Sequence, residues 1–313
     1  IADKLYFEPL TLEDVLSIYH KEKPLGVIAQ FGGQTPLNLA ADLKKYGVNI
    51  LGTTPETIDM AEDRDLFRAM MDKLQIPMPE SGMAVTVDDA LEIANKIGYP
   101  VMVRPSYVLG GRGMEVVHDD EAMTFYMRAA VGVTPDRPIL IDRFLHHATE
   151  CEADAISDGE NVFVPAVMEH IELAGIHSGD SACILPSRNL TKDQVETIRD
   201  YTSRIAKEMH VVGLMNMQYA IENGTVYVLE ANPRASRTVP LVSKVCNIRM
   251  VPLAIDIITS ELTGKPSPVP ALQEQHIPYF GIKEAVFPFN MFQEVDPVLG
   301  PEMRSTGEVL GLS

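Results

Sequence analysis

The sequence has few cysteines, no long apolar run and a shortage of positive charge. Its three cysteines, Cys151, Cys183 and Cys246, lie far apart and form no C-x-x-C pair. A disulfide framework or a zinc site is therefore not indicated, and buried reduced thiols are the simpler interpretation. No stretch is long and apolar enough to cross a bilayer, and no signal-peptide pattern is present. We therefore expect a cytoplasmic protein with no membrane partner.

The charge balance is strongly acidic. The chain carries 26 Lys and Arg against 44 Asp and Glu, which gives a formal net charge of −18. Such a surface repels a nucleic-acid backbone, so no nucleic-acid partner is expected. An anionic substrate would have to be met by a local cluster of Arg or Lys.

The chain is long enough for more than one domain, with 313 residues of which 46% are hydrophobic. Residues 25–45 predict a strand, a glycine turn and a helix with Leu37, Ala40 and Leu43 on its buried face. Residues 48–52 predict a second, parallel strand. We expect an α/β fold that opens with a Rossmann-like unit, truncated by the abrupt start. The pattern G-x-G-x-x-G is absent, so a dinucleotide site is not indicated.

Further elements follow from periodicity and capping signals. Residues 61–81 predict one helix with Leu66, Met70 and Leu74 inward. Other predicted helices span 86–100, 191–209 and 250–262, and the helix at 191–209 begins with a capping box of Thr191 and Gln194. Predicted strands span 101–106, 114–118, 139–145, 151–157 and 162–168. Residues 266–313 show little periodicity, and we expect a tail that wraps a neighbour or leads to a missing domain.

Residues 226–238, VYVLEANPRASRT, end an apolar strand in Glu230, Asn232, Arg234 and Arg237. Such polar and charged residues at the end of a strand do not contribute to a hydrophobic core, so they indicate a functional site. A second predicted strand, LMNMQYAI at 214–221, comes just before it. The two are joined by the residues ENGT, which indicates a hairpin.

Two registers of this hairpin are open. A two-residue turn at Asn223-Gly224 puts Gln218 and Glu230 on opposite faces, whereas a three-residue loop that includes Glu222 puts them on one face. We favour the three-residue loop, in which Asn216 faces Glu230 directly. The other face is then apolar and consists of Met215, Met217, Tyr219 and Ile221 opposite Ala231, Leu229, Tyr227 and Thr225.

One carboxylate among amide oxygens, without His or Cys, is typical of a site for Mg²⁺ or Mn²⁺. The predicted metal ligands are Gln218, Glu230 and Asn232. The structural alternative is a polar surface strand with a salt bridge from Glu230 to Arg234 or Arg237.

Three other segments carry groups suited to phosphates. Residues 103–115 are glycine-rich, with Gly110, Gly111 and Gly113 beside Arg104 and Arg112, although a plain hairpin turn also explains them. Residues 174–182 place His177, Ser178, Asp180 and Ser181 around two glycines, and residues 142–154 supply Arg143, Glu150 and Glu152. A glycine-rich flap, a basic cluster and an oxygen-ligand metal site together indicate nucleotide-dependent phosphoryl transfer.

Four segments, RPSYVLGGRGME, MEHIELAGIHSGDSA, GLMNMQYA and LEANPRASRTVPLVSK, resemble the large subunit of carbamoyl phosphate synthetase, a member of the ATP-grasp family. FGGQTPLNLA, AEDRD and GPEMRSTGEV extend the resemblance over essentially the whole chain. The motifs RPSYVLGGR and NPRASRT are similar to the second, carboxy-terminal half, which forms carbamoyl phosphate.

The resemblance implies a truncated pre-ATP-grasp domain at 1–61, an ATP-grasp domain at 62–265 with a lid at about 82–145, and a tail at 266–313 before an allosteric domain. It implies that Gln218, Glu230 and Asn232 hold two Mg²⁺ or Mn²⁺ ions, with K⁺ as a candidate further ion. Glu230, Arg234 and Arg237 would be catalytic. The implied ATP-binding residues are Arg104, Gly110, Gly111, Arg143, Leu145, Glu150, Gly175, Ile176, His177, Ser178, Gln218 and Glu230.

The implied reaction is phosphorylation of carbamate by ATP. The implied partners are the amino-terminal half of the large subunit, which delivers carbamate, and a glutaminase small subunit, which supplies ammonia. Two alternatives remain open. One is another ATP-grasp carboxylate ligase, such as a biotin carboxylase-like protein, and the other is a fragment that binds nucleotide without turnover.

Overall fold

The computed structural model describes residues 3–105, 113–133, 138–291, 294 and 296–313, with backbone alone at 130–133. The helices are α1 (Leu12–Glu22), α2 (Gln34–Lys45), α3 (Pro55–Glu62), α4 (Arg64–Leu74), α5 (Val87–Ile97), α6 (Asp120–Val133), α7 (Lys192–Glu208), α8 (Val239–Val245), α9 (Met250–Ile258) and α10 (Ser260–Thr263). The strands are β1 (Val27–Ile28), β2 (Ile50–Leu51), β3 (Ser81–Ala84), β4 (Val101–Pro105), β5 (Glu115–Val117), β6 (Ile139–Arg143), β7 (Thr149–Asp158), β8 (Val162–Phe163), β9 (Val167–His170), β10 (Cys183–Leu185), β11 (Val212–Glu222), β12 (Thr225–Asn232), β13 (Gly281–Val286) and β14 (Gly307–Leu312). In this part of the chain, no helix is long and apolar enough to span a membrane.

The first unit is the predicted strand–turn–helix. Strands β1 and β2 pair in parallel, and α2 buries Leu37, Ala40 and Leu43, as predicted. Gly33 caps α2 with a φ of 71°, a left-handed conformation that favours glycine. Gln30, only 1% exposed, joins this unit to the largest sheet. Its Nε2 donates to the carbonyl of Val212 (2.8 Å), and its Oε1 accepts from the amide of Leu214 (3.3 Å).

A small sheet has the strand order β3-β6-β4-β5, with antiparallel pairing throughout. Helices α5 and α6 cover one face. Their side chains and those of the strands form one core that includes Ala90, Ala94, Val103, Met123 and Ile141. The sheet is thus a separate layer with its own apolar core.

The largest sheet has eight strands, in the order β12-β11-β7-β9-β10-β13-β14, with β8 paired to β7. Helix α7 covers one face through Ile198 and Ile205, which are fully buried. Helices α8 and α9 cover the other face through Leu241, Val242 and Met250. The capping box of Thr191 and Gln194 starts α7, as predicted. The end of this sheet formed by β12, β11, β7 and β9 carries the candidate site.

The prediction of one helix over residues 61–81 was wrong in two respects. Two helices, α3 and α4, meet at Asp63, whose carboxylate accepts from the amides of Asp65 and Leu66 and so begins a new helix. The buried face of α4 consists of Phe67, Met70 and Met71, whereas Leu66 is 52% exposed. Met70 is buried as predicted and Leu74 packs against the same core, so Leu66 is the one predicted inward residue that faces outward.

The tail was expected to lack regular structure, yet β13 and β14 extend the largest sheet. Strand β13 alternates strictly between buried and exposed positions. Its buried positions include Lys283 (1% exposed), while Ile282 (38%) and Val286 (41%) face outward. Polarity and burial are inverted here, so the usual alternation of apolar and polar residues does not identify the strand.

Candidate functional site

The β11–β12 hairpin turns through two residues, not three. Glu222 pairs with Thr225, and Asn223 (φ 50°) and Gly224 (φ 83°) both lie in the left-handed region. This is the geometry that an Asn-Gly pair supports in a tight hairpin. The predicted three-residue loop was therefore wrong.

A β-bulge nevertheless brings the polar residues together. The register shifts between Gln218 and Tyr219, so that Gln218 pairs with Glu230 and Asn216 pairs with Asn232. The predicted common face exists because one extra residue enters β12 at the bulge. The apolar face differs from the prediction: Val226 and Val228 join Met217 and Tyr219 in the α7 core, while Tyr227 and Leu229 pack with Leu145.

The polar residues lie at the end of the hairpin opposite the turn, and they fit a hard divalent cation. Gln218 Nε2 donates to Ser178 Oγ (2.8 Å), which leaves its Oε1 without a hydrogen bond from any described residue. Glu230 Oε1 accepts from Asn232 Nδ2 (2.9 Å), and Asn232 Oδ1 accepts from Arg234 Nη2 (3.1 Å). This hydrogen bond uses one of the two lone pairs of Asn232 Oδ1, so the same oxygen can also bind a cation. Within the described ranges no group of three or more His, Cys, Asp or Glu is arranged to hold a metal, so amide oxygens are essential to this donor set.

Arg234 and Arg237 lie in the loop that follows β12, which we call the arginine loop (residues 233–238). Burial lowers the pKa of Arg234, and the charges of Glu230 and Glu62 oppose that effect. Arg237 Nη1 donates to Ser305 Oγ (3.0 Å), and its Nε lies 4.0 Å from Glu308. The tail thus contributes directly to the environment of the second arginine.

Behind the hairpin, β7 and β9 contribute a buried polar row. His170 Nε2 lies 3.1 Å from Glu152 Oε1, and its Nδ1 lies 3.5 Å from Glu150 Oε2. Burial alone would lower the pKa of His170, but Cys183 and these two carboxylates raise it well above its ordinary value. Burial also favours the neutral form of Glu152, yet contacts with His170 and Asn216 lower its pKa.

Arg104 does not point freely toward a ligand. Its Nη2 is paired with Asp142 Oδ2 at 2.8 Å, and the other oxygen of Asp142 binds Arg64 Nη2, also at 2.8 Å. Arg64 Nη1 also donates to the carbonyl of Leu229 (3.2 Å), one residue before Glu230. Asp142 therefore links the small sheet to α4 and, through Arg64, to the hairpin.

The loop at residues 174–182 closes over the sheet. His177 Nδ1 accepts from the amide of Gly179 (3.0 Å), and burial lowers the pKa of His177. The carbonyl of Ser178 accepts from the buried Lys283 Nζ (3.0 Å). Asp180 accepts from the backbone amides of Arg304 (2.7 Å) and Ser305 (2.9 Å). This loop and the tail therefore form one hydrogen-bonded unit.

Comparison of the sequence with known families decides the assignment. Residues 63–262 match the family described as "Carbamoyl-phosphate synthase L chain, ATP binding domain", and residues 1–60 match its preATP-grasp domain. The chain belongs to the carbamoyl-phosphate synthase large-chain family.

Curated relatives are similar in sequence along nearly the whole chain. It is 54% identical to the carbamoyl phosphate synthase large chain of Archaeoglobus fulgidus over 99% of its own length and 29% of that relative. Two relatives named as C-terminal sections, from Methanocaldococcus jannaschii and Aquifex aeolicus, are 54% and 51% identical over 99% of this chain, which spans 52% and 60% of their lengths. The predicted resemblance to the carboxy-terminal half of the large subunit is confirmed.

Solved structures share the fold at low identity. A Campylobacter jejuni biotin carboxylase, solved as a β,γ-ATP complex, superposes with a TM-score of 0.73 at 16% identity, covering 89% of this chain and 63% of that one. The biotin carboxylase domain of Hydrogenobacter thermophilus 2-oxoglutarate carboxylase, solved with MgADP and bicarbonate, gives 0.74 at 19% identity, covering 90% of this chain and 63% of that one. The predicted α/β ATP-grasp fold is confirmed.

The residues predicted to surround adenosine lie near one another in the fold. Leu145 is 5% exposed and packs with Ala220. Glu150 Oε1 accepts from the amide of Gly175 (3.0 Å), so the predicted ribose ligand also anchors the loop at 174–182. Arg143 Nη2 pairs with Glu222 Oε2 at 2.5 Å, and Ile176 is half-buried. Gly110 and Gly111 lie outside the described residues.

Sequence reasoning missed several residues of the site. Asp142, Asp154 and Lys283 are each more than nine-tenths buried on strands that line it, and Arg64 begins α4 beside it. A charged residue within a strongly apolar strand, as in ILIDRFL, was a usable signal for Asp142, because an uncompensated buried charge is strongly disfavoured. For Lys283 the surrounding segment shows no such contrast.

Proposed function

We propose that the chain phosphorylates carbamate with ATP, giving carbamoyl phosphate and ADP. The observation that carries this proposal is the end of the β11–β12 hairpin. There Gln218 and Glu230 are paired, Asn232 is hydrogen-bonded to Glu230, and Arg234 is hydrogen-bonded to Asn232. One short segment thus combines hard oxygen donors with guanidiniums, the groups that phosphoryl transfer requires.

The chemistry is an in-line displacement. A carbamate oxygen forms a bond to the γ-phosphorus as the bond to the β–γ bridging oxygen breaks, and ADP leaves with that electron pair. Mg²⁺ or Mn²⁺, two ions held by Gln218, Glu230 and Asn232, would neutralise phosphate charge when bound. K⁺ is a further proposed ion. Arg234 and Arg237 would stabilise the charge on the transferring group, and Arg104 would contact the phosphates through N–H groups other than the Nη2 that pairs with Asp142.

The remaining predicted residues are assigned to ATP. Arg143, Leu145, Glu150, Gly175 and Ile176 would surround adenosine, with His177 and Ser178 completing the pocket. The small sheet, at about 82–145, would act as a lid whose loop, with Gly110 and Gly111, closes over the phosphates and excludes water from a labile acid anhydride. Residues 1–61, 62–265 and 266–313 are the proposed domains.

The proposed context is a larger cytoplasmic enzyme. The chain spans 29% of the A. fulgidus large chain. An amino-terminal half would supply carbamate, and a glutaminase subunit would supply the ammonia from which carbamate is made.

The experiment is the reverse reaction. Carbamoyl phosphate, MgADP and K⁺ are incubated with the wild-type chain, with Glu230→Gln and with Glu160→Gln, and the ATP formed is measured. Glu160 is an exposed residue at the β7–β8 turn and serves as the matched control. We expect ATP from the wild type and the control, and a loss of at least about a hundredfold in Glu230→Gln.

A second assay separates the nearest alternative. Biotin and bicarbonate are added with MgATP, and ADP formation is measured. ADP formation that depends on biotin, without ATP from carbamoyl phosphate, would reject our proposal and favour a biotin carboxylase-like ligase. Nucleotide binding with neither reaction would leave only the interpretation as a non-catalytic nucleotide-binding segment.

A further inference from the structure

The arginine loop has an anchor that lies beneath it in the sheet. Ser236 and Thr238 flank Arg237 on either side, and both hydroxyls point to Asp154 of β7. Ser236 Oγ donates to Asp154 Oδ1 (2.7 Å), and Thr238 Oγ1 donates to Asp154 Oδ2 (2.6 Å). One oxygen of the Asp154 carboxylate therefore binds the residue before Arg237, and the other oxygen binds the residue after it.

Asp154 is itself rigidly held. It is 1% exposed, it pairs across β7 and β11 with Asn216, and its Oδ1 also accepts from Asn216 Nδ2 (3.1 Å). Asn216 Nδ2 donates in addition to Glu152 Oε2 (3.0 Å). Asp154 on β7 is thus fixed through Asn216 to the neighbouring β11, the strand that carries Gln218.

The loop has few other restraints at this point. The amide of Ala235 donates to the carbonyl of Gln30 (3.0 Å), and the carbonyl of Thr238 accepts from the amide of Val242 (3.0 Å). Between them, the amides of Ser236 and Arg237 make no backbone–backbone hydrogen bond within the described part of the chain. The hydroxyl contacts to Asp154, together with the hydrogen bond from the amide of Thr238 to Ser236 Oγ (3.2 Å), are consequently the main local restraints on the backbone that carries Arg237.

We propose that Asp154 is a positioning residue: by binding Ser236 and Thr238, it holds the arginine loop so that Arg234 and Arg237 meet the reacting phosphoryl group. This inference rests on the proposed function. Asp154 accepts hydrogen bonds from hydroxyls and makes no ion pair with an arginine among the described residues. It therefore fixes the arginines through the backbone and does not neutralise them by direct contact.

The test uses the full-length enzyme that contains this chain and measures ATP formation from carbamoyl phosphate and MgADP. Thr238→Val removes one hydroxyl at nearly constant shape, and Thr238→Ser retains that hydroxyl as the matched conservative variant. We expect Thr238→Val to lower kcat by about tenfold or more, because a misplaced charge stabiliser loses much of its effect. The KM for MgADP should change by less than about twofold, and Thr238→Ser should retain most of kcat.

Two further measurements keep positioning separate from a general loss of structure. In an Arg237→Ala background, Thr238→Val should have little further effect on kcat, because the two substitutions remove the same contribution. A crystal structure of Thr238→Val should show residues 234–238 displaced with β7 and β11 unmoved.

The inference is overturned if Thr238→Val keeps the wild-type kcat, or if Thr238→Ser is impaired as much as Thr238→Val. It is also overturned if residues 234–238 stay in place. A wild-type enzyme that forms no ATP rejects the proposed function instead, and in that case the crystal structure alone decides whether Asp154 positions the loop.

Discussion

Two buried aspartates, in two different sheets, hold the arginines of the site in different ways. Asp142 of the small sheet binds two guanidiniums directly, each at 2.8 Å. Asp154 of the largest sheet binds two hydroxyls of the arginine loop. A direct ion pair places an arginine and compensates its charge at once. An anchor through hydroxyls places the backbone and leaves the guanidinium charge for an anionic reactant.

The two anchors also differ in electrostatic cost. Asp142 is surrounded by cations, which offset its removal from water. Burial raises the pKa of Asp154 to about 6, and the hydrogen bonds from Thr238 and Ser236 limit that rise. The carboxylate of Asp154, which lies directly beneath the arginine loop, is therefore costly to ionise.

The largest expected effect comes from removing the carboxylate of Asp142. In Asp142→Ala, Arg64 and Arg104 would remain mostly buried without their shared partner, and breaking such a pair costs about 3–5 kcal/mol. Urea unfolding measures the loss, with the exposed Asp256→Ala of α9 as the control. A loss below about 1 kcal/mol, as for a surface pair, would show that Asp142 is not the stronger anchor.

A change of pH should separate the two aspartates next. The folded pKa of Asp154 lies above its ordinary value of 3.8. Between pH 3.8 and about 6, Asp154 stays protonated in the folded chain but is ionised in the unfolded chain. The contribution of Asp154 to the free energy of unfolding is therefore lost as pH rises from about 4 to about 6. The wild type minus Asp154→Asn difference in unfolding free energy should fall by about 3 kcal/mol across that window. A difference that is constant with pH would contradict the raised pKa.

The smallest effect should distinguish the two hydroxyls. Asp154 Oδ1 keeps its hydrogen bond from Asn216 when Ser236 is replaced by Ala, whereas Oδ2 has only Thr238 among the described residues. We expect Ser236→Ala to cost about 1 kcal/mol and Thr238→Val about 2 kcal/mol in unfolding free energy. Equal or reversed losses in urea unfolding would show that the two oxygens are not held as described.

Local patterns predicted much of the fold. The strand–turn–helix at the start, the apolar face of α2 and the capping box of Thr191 all depend on neighbours within a few residues, and the structure has them. The predicted single helix over 61–81 failed because Asp63 ends α3 and begins α4, and Leu66 is the predicted inward residue that proved exposed. Strand β13 was missed because the buried Lys283 finds its partner in Ser178, which is distant in sequence.

In the site, too, features set by nearby residues could be predicted, and features set by distant residues could not. The polar face of the hairpin could be predicted, because Gln218, Glu230 and Asn232 are unusual residues for apolar strands. The register could not be predicted, since a bulge is set by packing on both sides of the sheet. Asp142 and Asp154 were missed as anchors because their partners, Arg64 and the arginine loop, come from other elements.

The bulge in β12 has a consequence for how this segment tolerates changes in length over evolution. Leu229 is the residue left without a partner in β11, lying between Val228, which pairs with Tyr219, and Glu230, which pairs with Gln218. Deletion of Leu229 would make the ladder regular and keep both of those pairs. In an ordinary hairpin, loss of one residue moves every later side chain to the opposite face. Here the spare residue separates the length of β12 from the pairing of Glu230 with Gln218, so loss of Leu229 in a lineage would remove the carbonyl that accepts from Arg64 and keep that pairing.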